Sequence, residues 1–341
     1  MKTALITGIS GQDGAYLSKL LLEKGYRVIG GDRRTASGSL WRLEELGILK
    51  DIEITDFELA EFTNIYRVIE KYQPSEIYNL ASQSFVAASF EMPTMTSDIT
   101  GLGASRILEA IRNINPKIKF YQASSSEMFG KIVEKKQNEE TPFYPRSPYG
   151  VAKLFAHWMS VNYRESYNMF ICSGILFNHE SPLRGEEFVT RKITIGLSKI
   201  KLGQLDCLEL GNIKSKRDWG FAADYVEAMY LMLQHDSPDD FVVASGENHS
   251  IKDFVNAACN ELNIKIEWDG EGLNEKAIID STGKVIIKMN KKYYRPAEVD
   301  VLLGDSSKAK KILGWKPKTS FEELVSMMVK ADYNKLKQRK F

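Results

Sequence analysis

The amino-acid sequence predicts an α/β fold in which a doubly wound parallel sheet is followed by a smaller C-terminal α/β unit. Short apolar segments alternate with segments of helical period through the first half of the chain, as they do where helices cover both faces of a parallel sheet. The first apolar segment runs into a glycine-rich turn at residues 8–14, and another apolar segment follows the next helical one. This order is typical of dinucleotide-binding, Rossmann-type sheets.

Length and composition limit the class of protein. At about 150 residues per domain, 341 residues predict two units. We place a dinucleotide-binding unit with the catalytic residues at 1–177 and a mainly substrate-binding unit at 178–341, from which the chain can cross back to the sheet. The net charge of +1 predicts no nucleic-acid partner. No apolar run approaches the roughly 18 residues of a membrane span, so we expect no membrane partner.

Cysteine usage and the N-terminus favour a cytoplasmic protein. The chain has three widely spaced cysteines, which match neither a disulfide framework nor a metal site. The N-terminal residues lack the long apolar core of a signal peptide. The histidines are also scattered along the chain, so no metal is expected.

The opening βαβ unit supplies the candidate cofactor site. Residues 4–6 form the first predicted strand, the helix after the glycine turn ends near Gly25, and a second strand covers 26–30. Small residues let the backbone approach a pyrophosphate, and the helix N-terminus offers N–H donors and a positive dipole. The turn residues expected to bind the cofactor are Gly8, Ser10, Gly11, Gln12, Asp13 and Gly14.

The end of the second strand bears on the choice between NADP and NAD. Arg33 and Arg34 are suited to the 2′-phosphate of NADP, whereas an acidic residue such as Asp32 suits the adenosine ribose of NAD. Two adjacent arginines favour NADP, and Asp32 keeps NAD open as the alternative.

The following elements continue the alternation of strands and helices. We expect helices over 41–49, 62–72, 100–114 and 149–167, and strands over 52–54, 76–81, 119–121 and 170–176. Ligands bind at the carboxyl ends of parallel strands. Further cofactor contacts are therefore expected from Glu58, Leu59, Leu80 and Ser84.

The distal half has shorter elements and more turns. We expect helices over 193–202, over 252–262 and from Asp224 onward, short strands over 208–212 and 241–244, and a hairpin around Gly283. Several arginines and lysines lie in its loops, where such side chains can grip a diphosphate.

A serine run, residues 124–126, stands at the end of the fifth strand beside the candidate catalytic residues. Glu127 lies two residues beyond Ser125. Tyr149 and Lys153 are four residues apart, so on a helix they share one face. The lysine cation favours the phenolate, and we expect the tyrosine to titrate well below its free pKa of about 10. A hydroxyl, a phenol, an ammonium and a carboxylate together predict a site that moves protons.

Longer runs carry a family resemblance. The glycine turn, the serine run and the Tyr149–Lys153 pair resemble the extended short-chain dehydrogenase/reductase superfamily. The sequence also resembles the GDP-mannose 4,6-dehydratase family over nearly the whole chain, in GQDG at 11–14, FYQAS at 120–124, TPFYPRSPY at 141–149, VNYRES at 161–166, GILFNHESP at 174–182, FVTRK at 188–192, KRDW at 216–219 and RPAE at 295–298. This resemblance implies NADP-dependent 4,6-dehydration of a GDP-sugar, with GDP-mannose as the first expectation.

The resemblance also implies a role for each candidate catalytic residue. Tyr149 takes the proton from the sugar O4, Lys153 lowers the pKa of Tyr149 and holds the nicotinamide ribose, and Ser125 hydrogen-bonds O4. Glu127 removes the C5 proton as water leaves C6, with Ser126 assisting. The C4 hydride passes to the cofactor and returns to C6, so the cofactor is not consumed.

Substrate contacts and assembly follow from the same resemblance. A homo-oligomer, tetramer or dimer, is expected, with residues 33–39 reaching a neighbouring subunit. The residues expected to contact the GDP-sugar are Ser84, Glu127, Asn178, Val189, Lys192, Asn212, Arg217, Arg295 and Glu298.

Other functions remain open at this stage. A GDP-heptose or GDP-N-acetylhexosamine 4,6-dehydratase would keep the reaction and change the sugar. A 4-epimerase or 4-keto reductase of the same superfamily is less favoured, because epimerisation at C4 needs no base at C5 such as Glu127. A catalytically silent nucleotide sensor is disfavoured by the intact serine, tyrosine and lysine.

Overall fold

The computed structural model describes residues 1–34, 40–294 and 302–338. Its strands are β1 (Thr3–Thr7), β2 (Arg27–Asp32), β3 (Glu53–Asp56), β4 (Glu76–Asn79), β5 (Lys119–Ser125), β6 (Ile171–Leu176), β7 (Asn178–Glu180), β8 (Leu208–Leu210), β9 (Lys216–Arg217), β10 (Trp219–Phe221), β11 (Asp240–Val243), β12 (His249–Ser250), β13 (Ile266–Asp269), β14 (Lys276–Ile279) and β15 (Val285–Met289).

The α-helices of the described residues alternate with these strands. They are α1 (Gln12–Glu23), α2 (Trp41–Glu45), α3 (Phe62–Tyr72), α4 (Val86–Glu91), α5 (Pro93–Thr96), α6 (Gly103–Ile114), α7 (Pro148–Tyr167), α8 (Val189–Lys201), α9 (Ala222–Gln234), α10 (Ile251–Glu261), α11 (Ser307–Leu313) and α12 (Phe321–Gln338).

Seven parallel strands form the central sheet in the order β3-β2-β1-β4-β5-β6-β11. The strand order reverses between β1 and β4, so the carboxyl ends of these two strands flank the crevice where ligands bind in such sheets. The predicted α/β fold with a doubly wound parallel sheet is confirmed.

The distal half of the chain contributes to the central sheet as well as to a unit of its own. Strand β11 pairs with β6, so the chain does cross back after residue 178. A second sheet has the order β13-β14-β15-β8, and it contains the predicted hairpin, whose turn includes Gly283 at φ 66°. The division at residue 177 remains a prediction about domains.

Apolar side chains cover both faces of the central sheet. Ala4 and Ile6 point into a cluster with α1 and α9, whereas Leu5, between them, packs in the cluster with α3 and α6. This alternation follows from the two-residue period of a strand. Burial on both faces explains why the sequence shows continuous apolar segments there. A separate core around Trp219 and Phe254 holds the distal unit.

Three predicted helices differ from the observed ones by more than two residues at an end, and one of them, predicted over 193–202, begins earlier, at Val189. The helix expected over 41–49 ends at Glu45, because Gly47 takes φ 70° and the Ile48 N–H bonds back to the Leu43 carbonyl, as at a glycine C-cap. The helix expected over 100–114 has its α-helical part at Gly103–Ile114, preceded by a π-helical stretch at Ser97–Leu102.

Candidate active site

The glycine turn lies directly against the end of β4. A β-carbon at Gly8, which has φ 70°, would be 2.9 Å from the Cα atom of Ala81, and one at Gly14 would be 2.5 Å from the carbonyl oxygen of Gly8. Gly11 is the N-cap of α1 and has no side chain to cap the first-turn N–H groups. The turn therefore fits the close approach of a pyrophosphate, and it brings the predicted cofactor residues beside Leu80.

Two predicted cofactor residues of this turn bind the segment that follows β6. The Gln12 side-chain amide donates to the carbonyl of His179 (2.8 Å) and accepts from the Ser181 hydroxyl (2.8 Å). The carboxylate of Asp13 accepts from Nε2 of His179 (2.8 Å). Gln12 and Asp13 thus join the turn to β7 and to Ser181 behind it. The Gln12 side chain is buried, so a cofactor contact from it would be made inside this network.

His179 is a site residue that the sequence reasoning missed. Its Nδ1 atom lies 2.8 Å from the carbonyl oxygen of Phe177, and Nε2 faces Asp13, so both ring nitrogens have acceptors. Burial alone would lower the pKa of His179, but the Asp13 carboxylate outweighs it and the pKa is raised. The histidine stood in the run 174–182 used for the family resemblance, but it was not singled out.

The end of β2 contacts the glycine turn. The Ser10 hydroxyl donates to the Asp32 carboxylate (3.0 Å), and Arg33 and Arg34 follow it on the surface. Arg42, another residue that was missed, donates to the carbonyls of Ser10 (2.8 Å) and Leu183 (2.6 Å). The adenosine side of the candidate site therefore has one carboxylate and several guanidinium groups near it.

The remaining predicted cofactor residues lie along the same carboxyl edge. Glu58 is half-buried, and its N–H group donates to Asn64 (2.8 Å). The Leu59 side chain is buried, and a β-carbon on Gly103 would lie 3.0 Å from it, so a cofactor contact there would come from the Leu59 backbone. Ser84 is exposed after β4.

The predicted catalytic residues come together where β5 ends and α7 begins. The Ser125 hydroxyl accepts from the Glu127 N–H (3.2 Å) and thereby caps a single 3₁₀ turn at Ser126–Met128. A β-carbon on Gly150 would lie 2.7 Å from the Glu127 carbonyl oxygen, so this glycine lets the helix start against the turn. The Ser125 hydroxyl acts on the phenol of Tyr149 and works to lower its pKa.

Burial controls the ionisation of Tyr149. It raises the pKa of the phenol to about 12, although the hydrogen bond with Ser125 acts in the opposite direction. The expectation of a pKa well below 10 is wrong for this structure. The Lys153 Nζ atom lies 5.8 Å from the phenol ring centroid and donates to the Ala123 carbonyl (2.8 Å), and burial lowers the pKa of Lys153 to about 8. For the pKa of Tyr149, the loss of solvent therefore outweighs the attraction between phenolate and Lys153 that the spacing of the two residues suggested.

Arg184 adds a cation that the sequence reasoning did not select. Its guanidinium lies 3.6 Å from the ring centroid of Phe188 and pairs with Glu180 (3.1 Å). Its charge acts to lower the pKa of both Tyr149 and Asp13, although burial leaves the pKa of Tyr149 raised. The residue therefore faces the catalytic cluster from the loop after β7.

Four of the predicted substrate residues lie in the elements that follow β6. Asn178 begins β7, which pairs with β10, while Arg217 is buried in β9. Val189 starts α8, and one turn later Lys192 places Nζ 3.4 Å from the ring centroid of Tyr293.

The second group of predicted substrate residues centres on Tyr293. A β-carbon on Gly211 would lie 2.5 Å from the Tyr293 carbonyl oxygen, so the residue before Asn212 lies against Tyr293. Arg295 and Glu298 lie outside the described residues.

A doubly wound sheet that gathers a glycine turn, a serine hydroxyl and a Tyr-x-x-x-Lys helix at one carboxyl edge defines an enzyme of the extended short-chain dehydrogenase/reductase class. The sequence profile of the GDP-mannose 4,6-dehydratase family matches residues 5–328. The chain belongs to this family of sugar-nucleotide dehydratases.

Individual relatives agree with the family profile. The chain is 52% identical over 340 residues to a GDP-mannose 4,6-dehydratase of Cricetulus griseus, covering 97% of this chain and 91% of that protein. Its fold is similar to that of a dTDP-glucose 4,6-dehydratase from Bacillus anthracis in complex with NAD (TM-score 0.81, 20% identity, 99% and 98% of the two chains). It is also similar to that of RMD from Pseudomonas aeruginosa complexed with NADPH (TM-score 0.77, 20% identity, 98% and 100%).

Within the described ranges, no three His, Cys, Asp or Glu side chains are grouped closely enough to hold a metal ion. The same ranges contain no helix that is both long and apolar enough to span a bilayer.

Proposed function

We propose that this chain catalyses the NADP-dependent 4,6-dehydration of GDP-mannose to GDP-4-keto-6-deoxymannose. The observation that carries the proposal is the single turn that joins Ser125, whose hydroxyl acts on the Tyr149 phenol, to Glu127. A phenol that can accept the O4 proton and a carboxylate that can accept the C5 proton are what a reaction at C4 and C5 of one sugar requires. The 52% identity to a GDP-mannose 4,6-dehydratase supports the choice of substrate.

The first step of the proposed reaction is oxidation at C4. Tyr149 accepts the O4 proton while the Ser125 hydroxyl orients O4. Arg184 favours the phenolate through its charge, and Lys153 holds the Ala123 carbonyl and reaches the nicotinamide ribose. A nicotinamide held in this site would supply reversible hydride transfer between C4 and C6.

The second step is elimination of water across C5 and C6. A ketone at C4 acidifies the C5–H bond, so a carboxylate such as Glu127 can remove that proton. The same group can deliver the proton to the departing C6 hydroxyl, with Ser126 beside it on the turn. Glu127 is half-buried, which leaves its side chain accessible to a sugar. Addition of hydride at C6 would require a new proton at C5, which Glu127, left as the carboxylate after water departs, would relay from solvent.

We infer that the GDP moiety lies along the distal edge. Lys192 and Arg217 would hold the diphosphate, and Asn178, Val189 and Asn212 would line its path. Arg295 and Glu298, together with Ser84 near the sugar, complete the set of proposed contacts. The support is that Lys192 lies over the ring of Tyr293 and that Gly211, the residue before Asn212, lies against the Tyr293 backbone.

The cofactor is proposed to be NADP, with NAD as the alternative. Arg33 and Arg34 follow β2 on the surface, which suits a 2′-phosphate, whereas the Asp32 carboxylate beside Ser10 would repel it. Replacing Arg33 and Arg34 by alanine should lower kcat/KM for NADP more than for NAD in a reconstituted apoenzyme. Arg27→Ala, at the opposite end of β2, is the control. An unchanged NADP preference in the double variant would exclude Arg33 and Arg34 as the 2′-phosphate contacts, and a preference of the wild-type protein for NAD would make NAD the better assignment.

We also propose a homodimer or homotetramer located in the cytoplasm. Helix α7 exposes Val151, Phe155 and Trp158 on one stripe, and Leu102 is exposed on the neighbouring π-helical stretch. Trp158→Glu should shift the mass in light scattering towards the monomer, whereas Leu273→Glu, at a distant exposed site, should not. A monomeric native chain would contradict this assembly. The segment 33–39, predicted to reach a neighbour, lies largely outside the described residues.

The proposed reaction is tested with a panel of GDP-sugars. GDP-mannose should lose one water with no net change in NADP, and mass spectrometry should find the 4-keto-6-deoxy product. GDP-heptose and GDP-N-acetylhexosamines are tested beside it. The sugar with the highest kcat/KM is the preferred substrate. Epimerised product without loss of water would favour the 4-epimerase alternative and overturn the proposal.

A further inference from the structure

Helix α7 presents three buried polar side chains to the end of β5. Tyr149, Lys153 and His157 recur every four residues and therefore share one face of the helix. The Ser125 hydroxyl acts on the Tyr149 phenol and works to lower its pKa, and Lys153 donates to the carbonyl of Ala123 (2.8 Å).

The third side chain, His157, contacts Ser124, the residue between Ala123 and Ser125. Its Nδ1 atom lies 3.0 Å from the Ser124 hydroxyl oxygen. The helix thus holds three successive residues of β5, and His157 is the member of the face to which the proposed reaction gives no role.

We propose that His157 is a positioning residue, which fixes Ser124 and thereby keeps the end of β5 in register with the Tyr149–Lys153 pair. The inference rests on the proposed function. Ser124 shares its backbone with Ala123 and Ser125, so a displacement of Ser124 moves both the acceptor of Lys153 and the hydroxyl beside Tyr149. Misplacement by about 1 Å can cost on the order of 100-fold in rate.

The surroundings of His157 hold its ring in one place. Phe143 and Trp158 pack edge-on against it, with ring centroids 5.4 and 5.5 Å away. The charges that act on it belong to Asp240 and Arg164, which are bound to each other by two hydrogen bonds of 2.9 and 2.8 Å. Burial lowers the pKa of His157, so the ring is neutral at neutral pH and meets Ser124 through an uncharged hydrogen bond.

A purely space-filling residue would not need Nδ1. The ring is 3% exposed and the Ser124 side chain is 2% exposed, so removing one partner leaves the other buried without it. Phenylalanine keeps the aromatic packing and lacks the nitrogen. Asparagine loses part of the packing but places an amide group where Nδ1 stands. These two substitutions therefore separate the hydrogen bond from the volume.

The experiment compares His157→Phe, His157→Asn and Ser124→Ala in the full-length protein. We expect His157→Phe to lower kcat and the single-turnover rate of C4 oxidation by about tenfold, with KM for GDP-mannose within about twofold of wild type. Ser124→Ala should reproduce this loss. The double variant that combines His157→Phe with Ser124→Ala should be no slower than either single variant. His157→Asn should recover most of the rate.

Several results would overturn the inference. These are wild-type kcat in His157→Phe, additive losses in the double variant, or an asparagine variant as slow as phenylalanine. Hydrogen exchange of the peptide covering 124–129 gives a readout without substrate: it should be faster in His157→Phe and near wild type in His157→Asn. If wild type fails on every GDP-sugar, the proposed function fails, and the exchange comparison alone decides the positioning role.

Discussion

The imidazole of His179 lies between two acceptors, with Nε2 2.8 Å from Oδ2 of Asp13 and Nδ1 2.8 Å from the carbonyl oxygen of Phe177. Burial would raise the pKa of Asp13, but the histidine outweighs it and the pKa is lowered. The paired charges bind the glycine turn to β7. The proposed cofactor and substrate sides of the site are consequently parts of one connected framework.

Tyr149→Phe should abolish C4 oxidation while the cofactor is still bound. The phenol is the proposed base for O4, and without it the reaction does not begin. The loss should exceed the roughly 10²–10⁴-fold typical of general acid–base catalysis. Formation of reduced nicotinamide from GDP-mannose measures it. Tyr144→Phe removes a 57% exposed phenol and is the matched control. Turnover near wild type in Tyr149→Phe would refute the assignment.

Glu127→Gln should separate the two half-reactions. Ser125, Tyr149 and Lys153 remain, so C4 is oxidised reversibly, but an amide cannot accept the C5 proton. Bound reduced nicotinamide should accumulate, visible in near-ultraviolet absorbance, and solvent deuterium should not enter C5. Glu140→Gln changes an exposed carboxylate on the following loop and should behave like wild type.

A merely structural role for Glu127 makes a different prediction. The glutamine variant would then lose only about 1 kcal/mol of stability, as when a helix cap is removed, and would turn over normally. Normal deuterium incorporation at C5 would favour that reading and contradict the proposed elimination step.

Ser125→Ala and Glu127→Gln should shift the pH dependence of C4 oxidation in opposite directions. The phenolate of Tyr149 is the active form, so the rate rises with pH through its pKa. The Ser125 hydrogen bond lowers this pKa, and its loss moves the rise to higher pH. The Glu127 charge raises the pKa, and its loss moves the rise to lower pH. Single-turnover rates against pH measure both shifts, and shifts of the same sign would exclude this account.

Asp332→Asn should destabilise the protein and weaken substrate binding. Arg191 bonds Asp332 (2.7 Å) in α12 and donates to the Arg184 carbonyl (2.9 Å), so the C-terminal helix anchors the loop beside the catalytic cluster. Leaving a buried guanidinium without its carboxylate should cost about 3–5 kcal/mol. Denaturant midpoints and KM for GDP-mannose measure the two effects.

A surface ion pair on the same helix gives the control for this comparison. Lys335 pairs with Glu45 (2.9 Å), and the two side chains are 39% and 51% exposed. Lys335→Met should cost less than about 1 kcal/mol, because solvent screens such a pair. Equal losses in Asp332→Asn and Lys335→Met would show that the buried pair does not anchor the loop.

Local patterns predicted most of the elements that position the site. The helix over 62–72 was placed at its observed bounds, because its apolar period is regular and a proline follows it. The spacing of Tyr149 and Lys153 correctly placed both on one face of α7. The end of the helix predicted over 41–49 was missed, since the turn at Gly47 depends on how Leu43 and Ile48 are buried.

By itself, the sequence determined the α/β class, the glycine turn, the serine run and the family resemblance, because each depends on residues close together in the chain. Only the tertiary structure decided which groups meet across long separations, such as Asp13 with His179, 166 residues apart, and Arg191 with Asp332, 141 residues apart. It also decided the ionisation of Tyr149. Spacing shows that a cation is near, but the pKa depends on the balance between that charge and the loss of solvent, and burial is a property of the folded chain.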